Sequence, residues 1–204
     1  MSDEATGWFE PLYTAARDGE REIPWNRGTA HPLLVDWAAA RGLRGEGRRA
    51  LVVGAGLGFD AEHLAGLGFA TTAFDVAPTA VAMARERFPG SAVDYRVADL
   101  LDLPREWEGA FDLVVEIITV QSLPEELRGP ATAAIAGTVA PGGTLFVIAA
   151  IRDGAPGPGP PWPLTREQVE AFAAGDLELR RLDRLPIPDL PGEGRWRAEL
   201  TRPG

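Results

Sequence analysis

The sequence contains neither cysteine nor lysine among its 204 residues. Without cysteine the chain can form no disulfide, no thiolate zinc site and no cysteine nucleophile. Without lysine it can form no Schiff base and no Walker-type phosphate loop, because both need a lysine amine. Histidine occurs only at His31 and His63, too few for a multi-histidine metal site. We therefore predict no metal site.

Positive charge is scarce as well. The 20 basic residues, all arginine, face 30 acidic residues, and the formal net charge is −10. That balance is a poor match to nucleic acid or an anionic membrane. Apolar runs fall far short of the ~20 residues that a membrane span needs, and the N-terminal letters MSDEATG lack a signal pattern. We expect a cytoplasmic enzyme or binding domain with no nucleic-acid or membrane partner; the pattern specifies no oligomeric state.

Strands and helices alternate through the middle of the chain, and the length suits a single domain over 1–204. The predicted elements of the 50–151 core are strands at 50–53, 70–76, 92–99, 111–120 and 143–151 and helices at 58–68, 77–88 and 124–139. Two further strands, at 177–185 and 195–202, are expected to pair antiparallel at one edge. The fold class is therefore α/β, a doubly wound, Rossmann-like, mostly parallel seven-stranded sheet with an antiparallel last strand.

Two segments flank this core. Residues 1–30 mix aromatic and charged residues without clear periodicity, so we expect no packed helix or strand there. They are interpreted as an N-terminal lid. Residues 152–204 begin with a Pro/Gly-rich loop and are interpreted as the substrate-side loop and C-terminal strands.

A glycine-rich turn lies between the first predicted strand and its helix. Gly54, Gly56 and Gly58 follow the pattern G-x-G-x-G, and a dinucleotide fingerprint would need its third glycine at position 59, which is Phe59. Glycines allow a sharp turn and close approach of a ligand. The turn alone is also compatible with a ligand-free connection.

Acidic residues end the next two predicted strands. Asp75, at the end of the second, has two oxygens that can accept hydrogen bonds from both hydroxyls of a ribose. Asp99, at the end of the third, is either a reader of an adenine edge or a helix cap. The residues that follow, Val76 and Leu100, are included with them as candidate cofactor-binding residues.

Together these positions resemble the class I S-adenosylmethionine-dependent methyltransferases. The resemblance covers 50–151 and includes the phrase VAPGGTL at 139–145 and the strand FDLVVE at 111–116. It implies S-adenosylmethionine as cofactor, with the three glycines beside its methionine end, Asp75 on the ribose and Asp99 on the adenine.

The N-terminal segment resembles one branch of these methyltransferases. The letters IPWNRG at 23–28, followed by HPLL at 31–34, are similar to the P-W-D-x-G segment of thiopurine and halide/thiol methyltransferases, with Asn26 in place of the usual Asp. That branch implies a lid over cofactor and substrate. It places Trp25 and Tyr13 as cofactor-binding residues and Trp8 and Trp25 as substrate-binding residues; apolar packing of these rings is the alternative.

Methyl transfer requires little acid–base catalysis, because the sulfonium donor is already activated. A thiol acceptor needs no strong base, whereas an amine or hydroxyl benefits from one. The candidate bases are Glu116, also included as a cofactor-binding residue, and His31. Gln121, together with Ser122, is a candidate for substrate contacts, although a turn-forming role is as well supported.

The sequence therefore predicts methyl transfer to a small molecule, either a thiol or other soft nucleophile or, alternatively, the nitrogen or oxygen of a small metabolite. A non-catalytic S-adenosylmethionine-binding protein is a further alternative. A nicotinamide-dependent oxidoreductase would share the fold but needs the other glycine spacing.

Overall fold

The computed structural model describes residues 6–155, 157, 159–186 and 194–204. Parts of two predicted segments, residues 1–5 of the lid and residues 187–193 of the C-terminal region, lie outside that range. The chain divides into two compact units, Met1–Asp102 and Leu103–Gly204. This division does not test the one-domain prediction.

The first unit alternates helices and parallel strands. Its described elements are α1 (Phe9–Arg17), α2 (Pro32–Ala40), β1 (Arg49–Val53), α3 (Phe59–Gly66), β2 (Ala70–Asp75), α4 (Pro78–Arg87) and β3 (Asp94–Val97). β1 pairs parallel with β2, and β2 pairs parallel with β3. Each parallel step needs a crossover, which α3 and α4 supply.

The second unit combines one parallel pair with antiparallel C-terminal strands. Its described elements are β4 (Phe111–Ile117), α5 (Glu125–Thr138), β5 (Val139–Ala150), α6 (Arg166–Glu170), β6 (Glu178–Pro186), β7 (Gly194–Thr201) and two short 3₁₀ turns, Arg105–Trp107 and Val120–Ser122. β4 pairs parallel with β5, whereas β7 runs antiparallel to both β5 and β6.

The seven strands form one sheet in the order β3-β2-β1-β4-β5-β7-β6. This confirms the predicted seven-stranded, mostly parallel sheet with a reversed last strand. Four of the five residues of β1 are buried, and five of the seven residues of β4 are buried. Strands buried over most of their length are typical of a sheet covered on both faces. No helix in the described part of the chain is long and apolar enough to cross a membrane.

Helix α1 corrects the expectation that residues 1–30 contain no regular element. Its apolar positions Phe9, Leu12, Tyr13 and Ala16 recur at helical spacing, and Leu12 and Tyr13 are buried. Pro11 lies in the first turn, where a missing N–H breaks no helical hydrogen bond. The stretch is short, and aromatic residues beside a proline obscured the period.

Strand β5 begins four residues earlier than predicted. Val139 pairs with Phe111, and the next pair is Leu113 with Thr144, so the phrase at 140–143 forms a bulge within the strand. Gly143 fits there because a Cβ at this position would press against the Phe111 carbonyl oxygen. The predicted turn before the fifth strand is therefore an interruption inside it.

Candidate functional site

The glycine loop after β1 is folded on left-handed glycines. Gly54, Gly56 and Gly58 have φ of 62°, 51° and 88°, a region that other residues adopt at a cost. The Ala55 N–H donates to the Phe74 carbonyl at 2.8 Å, which ties the loop to the end of β2. The G-x-G-x-G spacing is therefore a backbone requirement of this turn.

Asp75 holds the glycine loop through hydrogen bonds to backbone N–H groups. Its Oδ2 accepts the Gly56 N–H at 2.9 Å, and its Oδ1 accepts the Ala77 N–H at 3.0 Å. Burial raises the pKa of this carboxyl above its ordinary value; the amides of Ala77, Gly56 and Val76 oppose that rise and the charge of Glu10 adds to it. A carboxylate has about four lone-pair sites, so Asp75 retains acceptor capacity beyond these amides.

Tyr13 and Trp25 lie over Gly56. Trp25 Nε1 donates to the Tyr13 hydroxyl at 2.9 Å, and a Cβ on Gly56 would lie 3.1 Å from that hydroxyl. Burial raises the pKa of Tyr13, and the nearby Asp75 charge adds to the rise. Two predicted cofactor-binding residues thus contact the glycine loop.

The aromatic cluster around Trp25 also includes Trp8. Trp8 stacks on Phe9 with centroids 3.9 Å apart, and Trp8 meets Trp25 edge-on at 6.1 Å. Both tryptophans are half-buried against the apolar cluster of α1 and α4. These ring–ring contacts agree with the interpretation that the rings pack as apolar side chains. They do not test whether Trp8 contacts a substrate.

Glu10 fastens α1 to the beginning of α4. Its carboxylate accepts the Thr79 N–H at 3.0 Å and the Thr79 hydroxyl at 2.5 Å. At the other end of α1, Arg17 pairs with Glu86 at 2.5 Å. The N-terminal helix is therefore held along α4, whose own start follows Asp75.

A residue that sequence reasoning missed supports the loop from behind. The Tyr95 hydroxyl donates to Glu62 Oε1 at 2.6 Å and lies beneath Gly58. A Cβ on Gly58 would collide with this hydroxyl. Tyr95 lies within a strand, where an aromatic residue is ordinary, so only the three-dimensional contact reveals its role.

The second acidic strand end is less enclosed. Asp99 is half-buried, and its Oδ1 accepts the Leu101 N–H at 2.9 Å. The residues after Asp99 form a turn and not a helix, so this is a local turn contact and not the helix cap of the alternative interpretation. Leu100 is buried, and Val76 is half-buried between Asp75 and Ala77.

His31 acts as a helix cap. Its Nδ1 accepts the Leu33 N–H at 3.2 Å at the start of α2, and its own N–H donates to Asp60 Oδ1 at 2.7 Å. The side chain is buried. These contacts account for a histidine at this position without assigning it a proton-transfer role.

Glu116 is a buried acid near the end of β4. Its Oε1 accepts the N–H groups of Thr119 and Val120 at 2.7 and 2.9 Å, and Oε2 has no hydrogen-bond partner among the described residues. Burial raises the pKa of Glu116 from 4.5 to about 7, although these two amides oppose the shift. The carboxyl can therefore exchange a proton near neutral pH.

The turn after Glu116 is strained and anchored. Ile118 has φ of 64°, a conformation that a β-branched residue seldom adopts. Gln121 is buried; its Oε1 accepts the Ala150 N–H at 2.7 Å, and its carbonyl accepts the Trp162 N–H at 2.7 Å. These contacts occupy Gln121 structurally, as the turn-forming alternative describes.

The described residues contain no group of three or more His, Asp or Glu side chains arranged to hold a metal ion. What they contain is a glycine loop closed by an acid and covered by aromatic rings in the first unit. The second unit holds a buried carboxyl of raised pKa beside a strained turn.

A family model described as a methyltransferase domain matches residues 51–147. The ubiquinone biosynthesis O-methyltransferase of Xanthomonas campestris is 40% identical over 119 residues, which cover 57% of this chain and 48% of that protein. The match thus spans about half the length of these curated relatives.

Solved structures agree on the fold. A structure described for the conversion of a disulfide bond into a thioacetal group during echinomycin biosynthesis has a TM-score of 0.74 at 25% identity, covering 95% of this chain and 93% of that one. The 1,6-didemethyltoxoflavin-N1-methyltransferase of Burkholderia thailandensis has a TM-score of 0.72 at 20% identity, covering 95% and 86%. None of these matches confirms the thiopurine or halide/thiol branch. Residues 51–147 thus match a methyltransferase domain, and the chain shares its fold with solved methyltransferases.

Proposed function

We propose that the chain binds S-adenosylmethionine at the glycine loop and catalyses methyl transfer to a small molecule. The observation that carries this proposal is the glycine loop itself: its three left-handed glycines are held by Asp75, which retains acceptor sites, and Tyr13 and Trp25 cover Gly56. When bound, S-adenosylmethionine supplies an electrophilic methyl group. The chain's own residues bind the cofactor, orient the acceptor and exclude water.

The acceptor that we favour carries a proton on oxygen or nitrogen. The support is Glu116, since a carboxyl with a pKa of about 7 suits proton acceptance near neutral pH. The curated relatives are O-methyltransferases, which favours oxygen. The thiol acceptor and the thiopurine or halide/thiol branch stay predictions from the sequence.

The N-terminal segment is proposed to act as a lid over the loop. Tyr13 and Trp25 contact Gly56, and α1 is held along α4. Aromatic faces attract a sulfonium charge by about 0.5–2 kcal/mol. Closure would exclude water from the methyl group, and reopening would release the product.

Calorimetry followed by product analysis tests the proposal. We expect S-adenosylmethionine to bind with a Kd on the order of 1 µM, about −8 kcal/mol, and NAD to give no heat. Mass spectrometry of reactions with phenol, amine and thiol panels should show a 14 Da gain in one class, the mass that replacement of hydrogen by methyl adds. Tight binding of NAD, with no heat of binding from S-adenosylmethionine, would refute the proposed cofactor. Binding of S-adenosylmethionine without any methylated product would favour the non-catalytic alternative.

A further inference from the structure

A small cavity in the second unit lies beside an arginine that has no ion pair in the described part of the chain. The cavity has a volume of about 200 Å³, and Arg128, Glu125 and Gln168 lie in its wall together with the apolar Val120 and Leu164. An apolar cavity of about 150 Å³ holds benzene. The space therefore suits the body of a small aromatic or aliphatic molecule.

Arg128 is held rigidly and is only partly used. Its Nε donates to the Leu123 carbonyl at 3.0 Å, its guanidinium lies 5.8 Å from the centre of the Trp162 ring, and the residue is 8% exposed. Its two terminal nitrogens make no hydrogen bond or ion pair to any residue that the structure describes. A pre-oriented guanidinium fork of this kind matches a carboxylate in two parallel hydrogen bonds.

A second guanidinium adds positive charge nearby. Arg152 donates to Gln168 Oε1 at 3.2 Å, and its buried Nε has no partner among the described residues. Burial lowers the pKa of Arg128, Glu125 opposes that shift, and the charge of Arg152 adds to it. Two neighbouring arginines without an ion pair are notable in a chain with ten more acids than bases.

The neighbouring acids limit the kind of anion. Gln168 Nε2 donates to Glu125 Oε1 at 3.4 Å, so Glu125 lies at the same cavity, and Glu126 also acts on Arg128. These negative charges repel a dianion about twice as strongly as a monoanion. The apolar part of the wall further favours an organic ligand over an inorganic one.

From these observations we infer that the cavity beside Arg128 is a binding site for the carboxylate of a small organic acid. Arg128 provides the hydrogen-bonding fork, Arg152 raises the local positive potential, and Val120 and Leu164 contact the ligand body. The site goes beyond the proposed methyl transfer and does not depend on it. The carboxylate belongs either to a methyl acceptor or to a separate effector.

Binding of benzoate to the full chain, without cofactor, tests the inference by calorimetry. We expect benzoate to bind at least about tenfold more tightly than its neutral isostere benzamide and more tightly than inorganic phosphate. Arg152→Gln keeps a donor for Gln168 but removes the charge, and should weaken benzoate severalfold. Glu125→Gln removes the competing anion and should strengthen it severalfold.

Two further variants complete the design. Arg128→Gln should abolish benzoate binding, and if it fails to fold, the Arg152 and Glu125 variants decide. Arg166→Gln is the matched control, because Arg166 is 61% exposed and pairs with Glu170; it should leave affinity unchanged. The inference would be overturned if benzamide bound as tightly as benzoate, or if affinity were unchanged in both Arg152→Gln and Glu125→Gln. It would also be overturned if benzoate did not bind at about 20 mM, a concentration far above the Kd of specific ligands.

The two sources of the carboxylate are separable once an acceptor is known. Competitive inhibition by benzoate against the acceptor indicates that the acceptor itself carries the carboxylate. A change in the rate that excess acceptor does not reverse indicates an effector. Because the binding measurement needs no methyl transfer, its failure is distinguishable from failure of the proposed function.

Discussion

Asp75 supports both the loop conformation and the proposed cofactor contact. Because it is 6% exposed and accepts two backbone N–H groups, Asp75→Ala would leave two buried amides without an acceptor. We expect the free energy of unfolding to fall by about 1–3 kcal/mol and cofactor affinity to fall by about 1.5–3 kcal/mol. The sequence alone, which suggests a crevice-facing carboxylate, predicts only the second effect. Urea denaturation and calorimetry measure the two.

Asp75→Asn separates these effects, because the amide keeps one acceptor oxygen. It should retain more stability than the alanine variant and still bind cofactor more weakly than the natural chain. Asp94→Asn is the control, since Asp94 is exposed on β3 and pairs with Arg96. Normal cofactor affinity in Asp75→Ala would remove Asp75 from the proposed site.

The raised pKa of Glu116 predicts that stability depends on pH. Its pKa is raised in the folded chain from 4.5 to about 7, so the folded state holds this proton more tightly than the unfolded state. The stabilisation is fully present below about pH 4.5 and is lost as pH rises through about 7; linkage puts it on the order of 3 kcal/mol.

Glu116→Gln should remove this pH dependence, because an amide resembles the protonated acid. Urea denaturation at pH 5, 6, 7 and 8 would show the difference between variant and natural chain growing in the variant's favour as pH rises. The exposed Glu178, paired with Arg180, is the control position. Parallel curves for Glu116→Gln and the natural chain would refute a raised pKa.

At the scale of elements, α1 and the segment to Trp25 give an optical test of the lid. Trp25 Nε1 bonds to Tyr13, and both rings lie over Gly56. Cofactor binding should therefore change tryptophan fluorescence, and Trp25→Phe should remove most of that change. Trp107→Phe, a buried ring packed on Phe111 in the second unit, is expected to preserve it. An unchanged response in Trp25→Phe would reject Trp25 as part of the lid.

Periodicity predicts the central elements because local pattern and burial agree there. β1 and β4 are rich in apolar residues, and the structure buries most of their positions. Predictions failed where a tertiary contact overrides local pattern. Ile118 ends β4 three residues early by taking a left-handed φ, and Val139 begins β5 early by pairing with Phe111. Neither event has a local signal of its own.

The candidate site was likewise predictable from the sequence only in part. The glycine spacing and Asp75 were identifiable because strand ends and glycine turns have sequence signatures. The Tyr95 support of Gly58 was not identifiable, because it joins residues that are 37 positions apart. The site at Arg128 was also not identifiable, because Arg152, whose charge acts on Arg128, is 24 positions away in the sequence.

At the scale of the whole molecule, the two edge strands of the sheet affect whether copies of the chain associate. β3 has four residues and lies at one end of the strand order, and β6 lies at the other. On β6, Arg181 pairs with Asp183, and Arg184 pairs with Asp153. Charged side chains on an edge strand oppose pairing with another chain.

Replacing Arg181 and Arg184 together by Val should therefore cause concentration-dependent self-association, observable by light scattering. The matched control is the double variant Arg105→Ala and Arg166→Ala, which changes net charge equally at exposed helical positions away from β6. Equal scattering from both double variants would show that net charge, and not the strand edge, governs association.

The contact between Gly58 and Tyr95 constrains the order in which substitutions can accumulate in a lineage. A side chain at position 58 meets the Tyr95 ring and hydroxyl, and the φ of 88° disfavours it independently. We therefore expect the ring to be lost or displaced before the glycine is replaced. Glu62, which accepts hydrogen bonds from both Tyr95 and Ser91, would then be released from its own constraint. Sequence change at the loop is therefore expected to begin on β3, two strands from β1 in the sheet.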